Sequence, residues 1–473
     1  MAQLEHDDIQ GFIVRGYGRL PEASYLLLHV SDTAGAREWL GEMVELVTPS
    51  TTKPPDAAYH VAFTCEGLRA LGVHEDDLNT FSLPFFEGMA APRRTRILGD
   101  MHESAPSEWR WGGPDTDAVH VLVLLFGRDE EALETACAKV RNAYRGVTEL
   151  ARLDTYSFEP IREHFSFRDG IAQPIIEGLS RTGPPENTLP PGEFILGYEN
   201  AYDKLPASPT VAPERDPDVL LPRVDAVTDG GNASVVGDFG RNGSYLVFRQ
   251  MSQDVKGFWD FISSIAEDMY GSSDSMTRTR IAAKMVGRWP SGAPLVMCPH
   301  ADDEEHADKD NFGYADDPHG TMCPVGSHIR RTNPRDALEG SAEESITVSN
   351  RHRLLRRGRA YGAPISDTID VDEILGAEEE HEECGLHFIC LNADLSRQFE
   401  FVQQTWVNNA KFGGLYTDAD PLLGNHDASD TTFTMQREPV RERITGMKRF
   451  VEVRGGAYFF LPGLRALRYL ATL

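Results

Sequence analysis

The sequence predicts an α+β protein made of two similar ferredoxin-like halves. Three observations carry that expectation. A strand-like apolar run, a short polar residue and a helical apolar period follow one another four times along the 473 residues. Two of these units lie before residue 150 and two after residue 240, which suggests two halves, each a sheet covered by helices on one face. No GxGxxG or GxxxxGK[ST] follows any strand, so the phosphate loops of a doubly wound nucleotide fold are absent.

The first unit runs Tyr25–Val30, then Ser31 or Asp32 as a cap, then Trp39, Leu40, Met43, Val44 and Val47. The second is Val119–Phe126, Asp129, then Leu133, Cys137, Val140 and Tyr144. The third is Tyr245–Phe248, Ser252, then Val255, Phe258, Trp259, Ile262 and Ile265. The fourth is Leu386–Leu391, Asn392, then Leu395, Phe399, Val402 and Trp406. Steps of three and four place each set on one helical face, and the oxygens ahead of them can take the first free backbone N–H groups. His60–Thr64 with Leu68, Leu71 and Val73 reads as one more strand and helix. Arg449–Leu461 reads as a late strand pair broken at Gly455-Gly456. The stretch Ile171–Pro222 holds 10 of the 29 prolines, which keeps it irregular. A boundary near residue 225 then divides the chain into 1–225 and 226–473.

Charge and cysteine usage narrow the function classes. With 46 Lys+Arg against 74 Asp+Glu, the formal charge is −28. That acidity argues against nucleic acid and against anionic membrane surfaces. The longest apolar runs fall far short of the roughly 20 residues of a spanning helix. The first ten residues are acidic and contain no apolar secretory core, and the six cysteines form no CxxC pair. A cytoplasmic enzyme is the expectation.

Three segments could carry chemistry. Phe165-Ser166-Phe167-Arg168-Asp169-Gly170 places a carboxylate at a sharp turn, although Asp-Gly is also an ordinary turn pair. Cys323-Pro324-Val325-Gly326-Ser327-His328-Ile329-Arg330-Arg331-Thr332-Asn333-Pro334-Arg335 sets a histidine before a basic cluster in an acidic protein. Such a histidine can be structural or a metal ligand, and the arginines suit carboxylates. A zinc set of Cys298, His300, Cys323 and His328 is also conceivable, with spacing poor for zinc frameworks. Arg351–Arg359 packs six basic residues into nine positions, a solvated strand from which one side chain could turn inward.

Taken in order, these segments resemble the dye-decolorizing peroxidase family. Gly385-Leu386-His387-Phe388-Ile389-Cys390 and Arg454-Gly455-Gly456-Ala457-Tyr458-Phe459-Phe460 resemble further segments of it. The resemblance runs from about Asp8 to the C-terminus and is nearest the longer, class C/D-like members. It implies tandem ferredoxin-like domains, with haem b in the C-terminal half. Residue by residue, it makes His328 the proximal ligand of the haem iron, Asp169 the distal carboxylate of a GxxDG motif, and Arg356 the distal arginine. Ser166 stands where that motif has its first glycine. Arg330 is expected at the cofactor, and Leu386 and Phe388 over its distal face. Strand alternation turns His387 away from them.

The implied activity is reduction of hydrogen peroxide with oxidation of phenols, dyes or Mn²⁺, with Asp169 as base and Arg356 as charge stabiliser. A proximal carboxylate behind His328 is expected but not identifiable. Trp406 and Tyr361 are candidates for electron transfer at the surface, although aromatics in such patterns more often pack in the core. The alternative is a haem carrier, sensor or cargo protein without turnover, which would need His328 alone. Homo-oligomers are common in the family. The acidic stretch Asp302–Asp310 reads as a solvated loop or a site for Mn²⁺ or Ca²⁺. With the basic residues gathered at the site, the outer surface should repel anionic dyes and favour neutral or cationic reductants.

Overall fold

The computed structural model describes residues 3–179, 182–227, 233–366, 368–377, 382–426 and 431–473. Its centre is one nine-stranded sheet. The N-terminal part supplies β1 (Glu22–Val30), β2 (Ala57–Phe63), β3 (Val121–Gly127) and β4 (Val147–Asp154). The C-terminal part supplies β5 (Ser244–Gln253), β6 (Leu355–Arg356), β7 (Arg359–Tyr361), β8 (Gly385–Asn392) and β9 (Val451–Leu461). Pairing runs β6-β8-β5-β9-β2-β3-β1-β4, with β7 also on β8. Within each part the strands stand in the order fourth, first, third, second, if β6 and β7 count as one interrupted strand. That is the ferredoxin-like arrangement, and it occurs twice. The two parts meet edge to edge where Phe460 of β9 opposes Phe63 of β2.

The helices begin where short side-chain oxygens accept backbone N–H groups. Asp32, rather than Ser31, accepts from Gly35 N (2.7 Å) and opens α1 (Thr33–Val44). Asp129 accepts from Ala132 N (2.9 Å) and opens α2 (Glu130–Asn142). Two expected caps move. β5 extends through Ser252, so Asp254 caps α3 (Val255–Tyr270) instead. β8 likewise takes in Asn392, and Asp394 accepts from Arg397 N (3.0 Å). The helical stretch after it, Ser396–Glu400 and Val402–Val407, is wound as π-helix. The expected strand pair at Arg449–Leu461 is one strand: a register shift opposite Gln250 and Met251 bulges it at Arg454, and the two glycines stay in the ladder.

Both faces of the sheet are buried. Alternate residues send Leu26, Val123, Val247 and Phe460 into one core with α1, α2 and the helix Leu464–Thr472. Tyr25, Leu124, Phe248 and Phe459 enter a second core. That second face is covered by the N-terminal segment (Phe12, Ile13, Tyr17) and by the Pro-rich stretch (Ile176, Leu189, Phe194, Ile195). The near-continuous apolar runs in β3 and β5 follow from this two-sided burial. α3 packs away from the sheet, against α4 (Ser275–Val286) and Phe165, in a third cluster that also holds Phe167. No helix among the described residues is long and apolar enough to cross a membrane.

Phe460 is fully buried at the junction, with Phe81, Phe239 and Tyr245 around it. Phe460→Ala is expected to cost about 3–5 kcal/mol in urea unfolding. A loss below about 1 kcal/mol would show that the two parts are not packed through this residue.

Candidate active site

A cavity of about 250 Å³ lies between β8, the third core and the short helix α5 (His328–Thr332). Leu386 and Phe388 line it from one face of β8. His387, between them, turns the other way, where it is buried, stacks on Tyr361 at 4.5 Å and reaches Asp154 O at 3.2 Å. Burial without a charge partner pushes its pKa down to about 3, so it stays neutral.

His328 is the first residue of α5. Asn333-Pro334 stops the helix after five residues, because a residue before proline is driven out of the α region. The imidazole Nδ1 lies 2.9 Å from Asp420 Oδ2, which leaves Nε2 as the ring nitrogen for a ligand in the cavity. Asp420 is fully buried, and its Oδ1 accepts from Leu422 N and Leu423 N, both at 2.9 Å. Burial works to raise its pKa. The charge and hydrogen bond of His328, the Leu423 amide and Arg331 outweigh burial and hold it below the usual carboxylate range. Arg331 binds α5 to the segment that carries Asp420, donating to carbonyls of Gly326 (3.0 Å), Trp406 (2.8 Å), Asn409 (2.9 Å) and Asp418.

Asp169 and Arg356 open onto the same cavity. Arg356 Nη1 donates to Asp169 Oδ1 at 3.0 Å, and Gly170 N donates to the same oxygen at 2.6 Å. Burial would raise the Asp169 pKa. Arg356, the Gly170 amide and His328 overcome it, so Asp169 is held below its ordinary value as a carboxylate. Glu163 ties this turn together, accepting from Phe165 N and Phe167 N at 2.9 Å each and from Gln253 Nε2 at 2.7 Å. It too faces the cavity, and burial raises its pKa to about 7. Ser166 sits in the same turn at φ +76°, the left-handed region that glycine occupies without strain.

The residues present fit a haem. The side chains of His328, Asp169 and Arg356 are 23, 36 and 32 % exposed, and that surface lines the cavity. Arg353 and Arg335 also border it. Arg353 is buried, and its guanidinium has one hydrogen-bond partner among the described residues, Asn187 at 2.7 Å, which leaves donors for an anionic group such as a haem propionate. Apolar walls come from Leu386, Phe388, Val286, Ile329 and Leu422.

Several expectations need correction. Arg330 does not line the cavity: it is buried on Asp317 (3.2 Å) and Cys323 O (2.8 Å), over the Tyr314 ring. Trp406 and Tyr361 are 5 and 7 % exposed and do not reach the surface. Trp406 packs on His352 and Phe401, and Tyr361 Oη donates to Glu383 at 3.0 Å. The set Cys298, His300, Cys323 and His328 does not converge, since Cys323 pairs with Ser327 Oγ and His328 with Asp420. From the basic run Arg351–Arg359, two arginines rather than one turn to the cavity, Arg353 and Arg356, while Arg357 and Arg359 hold backbone carbonyls of the N-terminal segment. Sequence reasoning missed Asp420, Glu163 and Arg353. Asp420 lies 92 residues from His328, and nothing in its neighbourhood separates it from Asp418.

No family model matches the chain. It is 29% identical over 501 residues to the dye-decolorizing peroxidase msp1 of Mycetinis scorodonius, covering 100% of this chain and 88% of that protein. It is 28% identical to the multifunctional dye peroxidase DyP2 of an Amycolatopsis species, covering 98% and 95%. The crystal structure of AauDyP complexed with imidazole is similar at a TM-score of 0.79 and 25% identity, covering 99% of this chain and 100% of that one.

For Ser166→Gly, relief of about 1–2 kcal/mol of left-handed strain opposes about 0.5–1 kcal/mol of added unfolded-chain entropy. The variant is therefore expected to be neutral to about 1 kcal/mol more stable in thermal or urea unfolding. A destabilisation above about 1 kcal/mol would show that the serine side chain supports the turn.

Proposed function

We propose that the chain, like the dye-decolorizing peroxidases it is similar to over its whole length, is a haem b peroxidase that reduces hydrogen peroxide with Asp169 and Arg356 and oxidises small organic reductants. The observation that carries the proposal is the placement of His328, backed by Asp420, and the Asp169–Arg356 pair on one cavity. Haem b, held by His328, would supply the redox chemistry of peroxide reduction. Asp420 holds the proton on His328 Nδ1 and so directs Nε2 toward the cavity as a strong donor. Asp169, kept ionised by Arg356 and Gly170 N, is placed to take a proton at a carboxylate oxygen and return it to a leaving hydroxide. Arg356 stabilises the negative charge that builds on that leaving group. Arg353 and Arg335 take the anionic edge of the cofactor, a role expected of Arg330 from the sequence. A carrier or sensor would need His328 and no Asp169–Arg356 pair.

Residues 1–225 would then form the unit that supplies Asp169, and 226–473 the haem-binding unit. The reductant class follows from charge. With −28 overall and five arginines turned to the cavity wall, the remaining surface repels sulfonated dyes and favours neutral phenols or Mn²⁺. A related peroxidase has been solved in complex with 2,6-dimethoxyphenol.

His328→Ala should lose haem, read from the Soret band. Asp169→Asn and Arg356→Leu should retain it and lower kcat/KM for peroxide by roughly 10²–10⁴-fold. Wild-type rates in both would remove their roles and leave the carrier reading. Asp420→Asn should retain haem less tightly and lose roughly 10- to 100-fold in activity.

The pH dependence has a fixed sign. A base with a depressed folded pKa works above that pKa and fails as pH falls through it. Since Asp169 lies below the ordinary value, the acid limb of kcat/KM is expected below about pH 4. Arg356→Leu should move the limb upward, because the largest opposing influence on burial is gone. An acid limb above pH 5 in the parent protein would contradict Asp169 as the base.

A further inference from the structure

Outside the cavity lining, the segment from Cys298 to Asp310 brings a thiol, a carboxylate and an imidazole together. Ligand atoms of Cys298, Asp303 and His306 all lie within 4.8 Å of one another. Backbone hydrogen bonds help to hold the three residues in place. Cys298 N donates to Pro294 O at 2.9 Å, and Cys298 O accepts from Trp289 Nε1 at 2.7 Å. His306 N donates to Asp303 O at 3.0 Å in the short turn Glu304–His306. Asp303 Oδ1 accepts from Glu305 N at 3.0 Å, which leaves Oδ2 facing His306 Nδ1 at 2.9 Å. The Cys298 thiol is buried beside them and forms no disulfide.

We infer that Cys298, Asp303 and His306 form a binding site for a divalent cation of the Zn²⁺ class, with a fourth position taken by water. Sulfur and imidazole donors select borderline-soft ions, whereas Mn²⁺ and Ca²⁺ take oxygen ligands. The ligand atoms that converge here are the mixed set, since the other aspartates are engaged and Glu304 and Glu305 are exposed. Asp302 accepts from Ser291 N (3.2 Å), Ser291 Oγ and Asp303 N (2.8 Å). Asp308 holds Arg168 at 2.5 Å, and Asp310 holds Arg335. The chemistry therefore differs from the Mn²⁺ or Ca²⁺ loop that the acidic sequence alone suggests. On binding, the cation takes the place of the proton between Asp303 and His306, the His306 ring proton then resides on Nε2, and Cys298 releases its thiol proton to solvent. Tetrahedral bond lengths put ligand atoms about 3.5 Å apart, so the Asp303–His306 pair opens slightly from 2.9 Å while the Cys298 sulfur closes on it. The closure ties the Glu304–His306 turn to Cys298. It thereby braces Asp308, whose partner Arg168 precedes Asp169 in the chain.

The test uses the haem-loaded protein, stripped with a chelator, exposed to Zn²⁺ and gel-filtered. The expected result is one zinc per chain besides iron. Absorption fine structure at the zinc edge should show a single sulfur at about 2.3 Å. Cys298→Ser should lose the sulfur and weaken retention by roughly tenfold or more. His306→Ala, in an exposed turn, should do the same for retention with the Soret band intact, which covers the case in which the buried variant misfolds. No retained zinc, zinc without a sulfur neighbour, or zinc displaced by equimolar Mn²⁺ would overturn the site. This readout is independent of peroxide turnover.

Discussion

The buried pair of Asp420 and His328 sets the terms for the rest of the site. A carboxylate with no solvent exposure is costly unless every oxygen is satisfied. Asp420 meets that condition with two backbone amides on one oxygen and His328 on the other. The arrangement leaves His328 little freedom: its Nδ1 is committed, so its Nε2 is the atom available to the cavity. Arg331 fixes the distance between the two partners by holding carbonyls from both of their segments. A residue in the basic cluster after the histidine thus acts as a structural clamp, not as a cofactor contact.

The other charged pair obeys a different balance. Asp169 is held ionised by Arg356, while Glu163, in the same turn, has no such partner and is pushed toward its neutral form. Two carboxyls a few residues apart are therefore separated in protonation by one arginine. The turn that holds both accepts a strained Ser166 because Glu163 caps two of its amides.

The sheet provides rigidity for this chemistry. Burial on both faces holds β8 between β5 and the short strands β6 and β7, so Leu386, Phe388 and Arg356 are all delivered from one framework. The Pro-rich stretch is not a passive linker: it covers the second face of the sheet and leads out of the Asp169 turn. The acidity of the chain also acquires a distribution. Arginines Arg335, Arg353 and Arg356 collect at the cavity, which leaves the exterior more negative than the total implies.

Much of this was legible in the sequence because it rests on short-range patterns. Apolar spacing marked the strands and helices, aspartates marked the start of α1 and α2, and the order of the motifs around Asp169, His328 and Arg356 carried the resemblance to the dye-decolorizing peroxidases. Strand alternation alone separated Leu386 and Phe388 from His387. What escaped depends on contacts between distant segments. Ser252 and Asn392 look like caps until the ladder extends through them. Arg330 and Arg331 look alike in sequence, yet both are buried in structural networks, while Arg353 turns to the cavity. Trp406 and Tyr361 read either as core aromatics or as surface electron-transfer candidates, and they are packed inside. Asp420 as the partner of His328, and the convergence of Cys298, Asp303 and His306, follow from where loops close in space. Spacing along a chain fixes which face a residue occupies, but not which remote residue meets it there, and only the tertiary fold decides that.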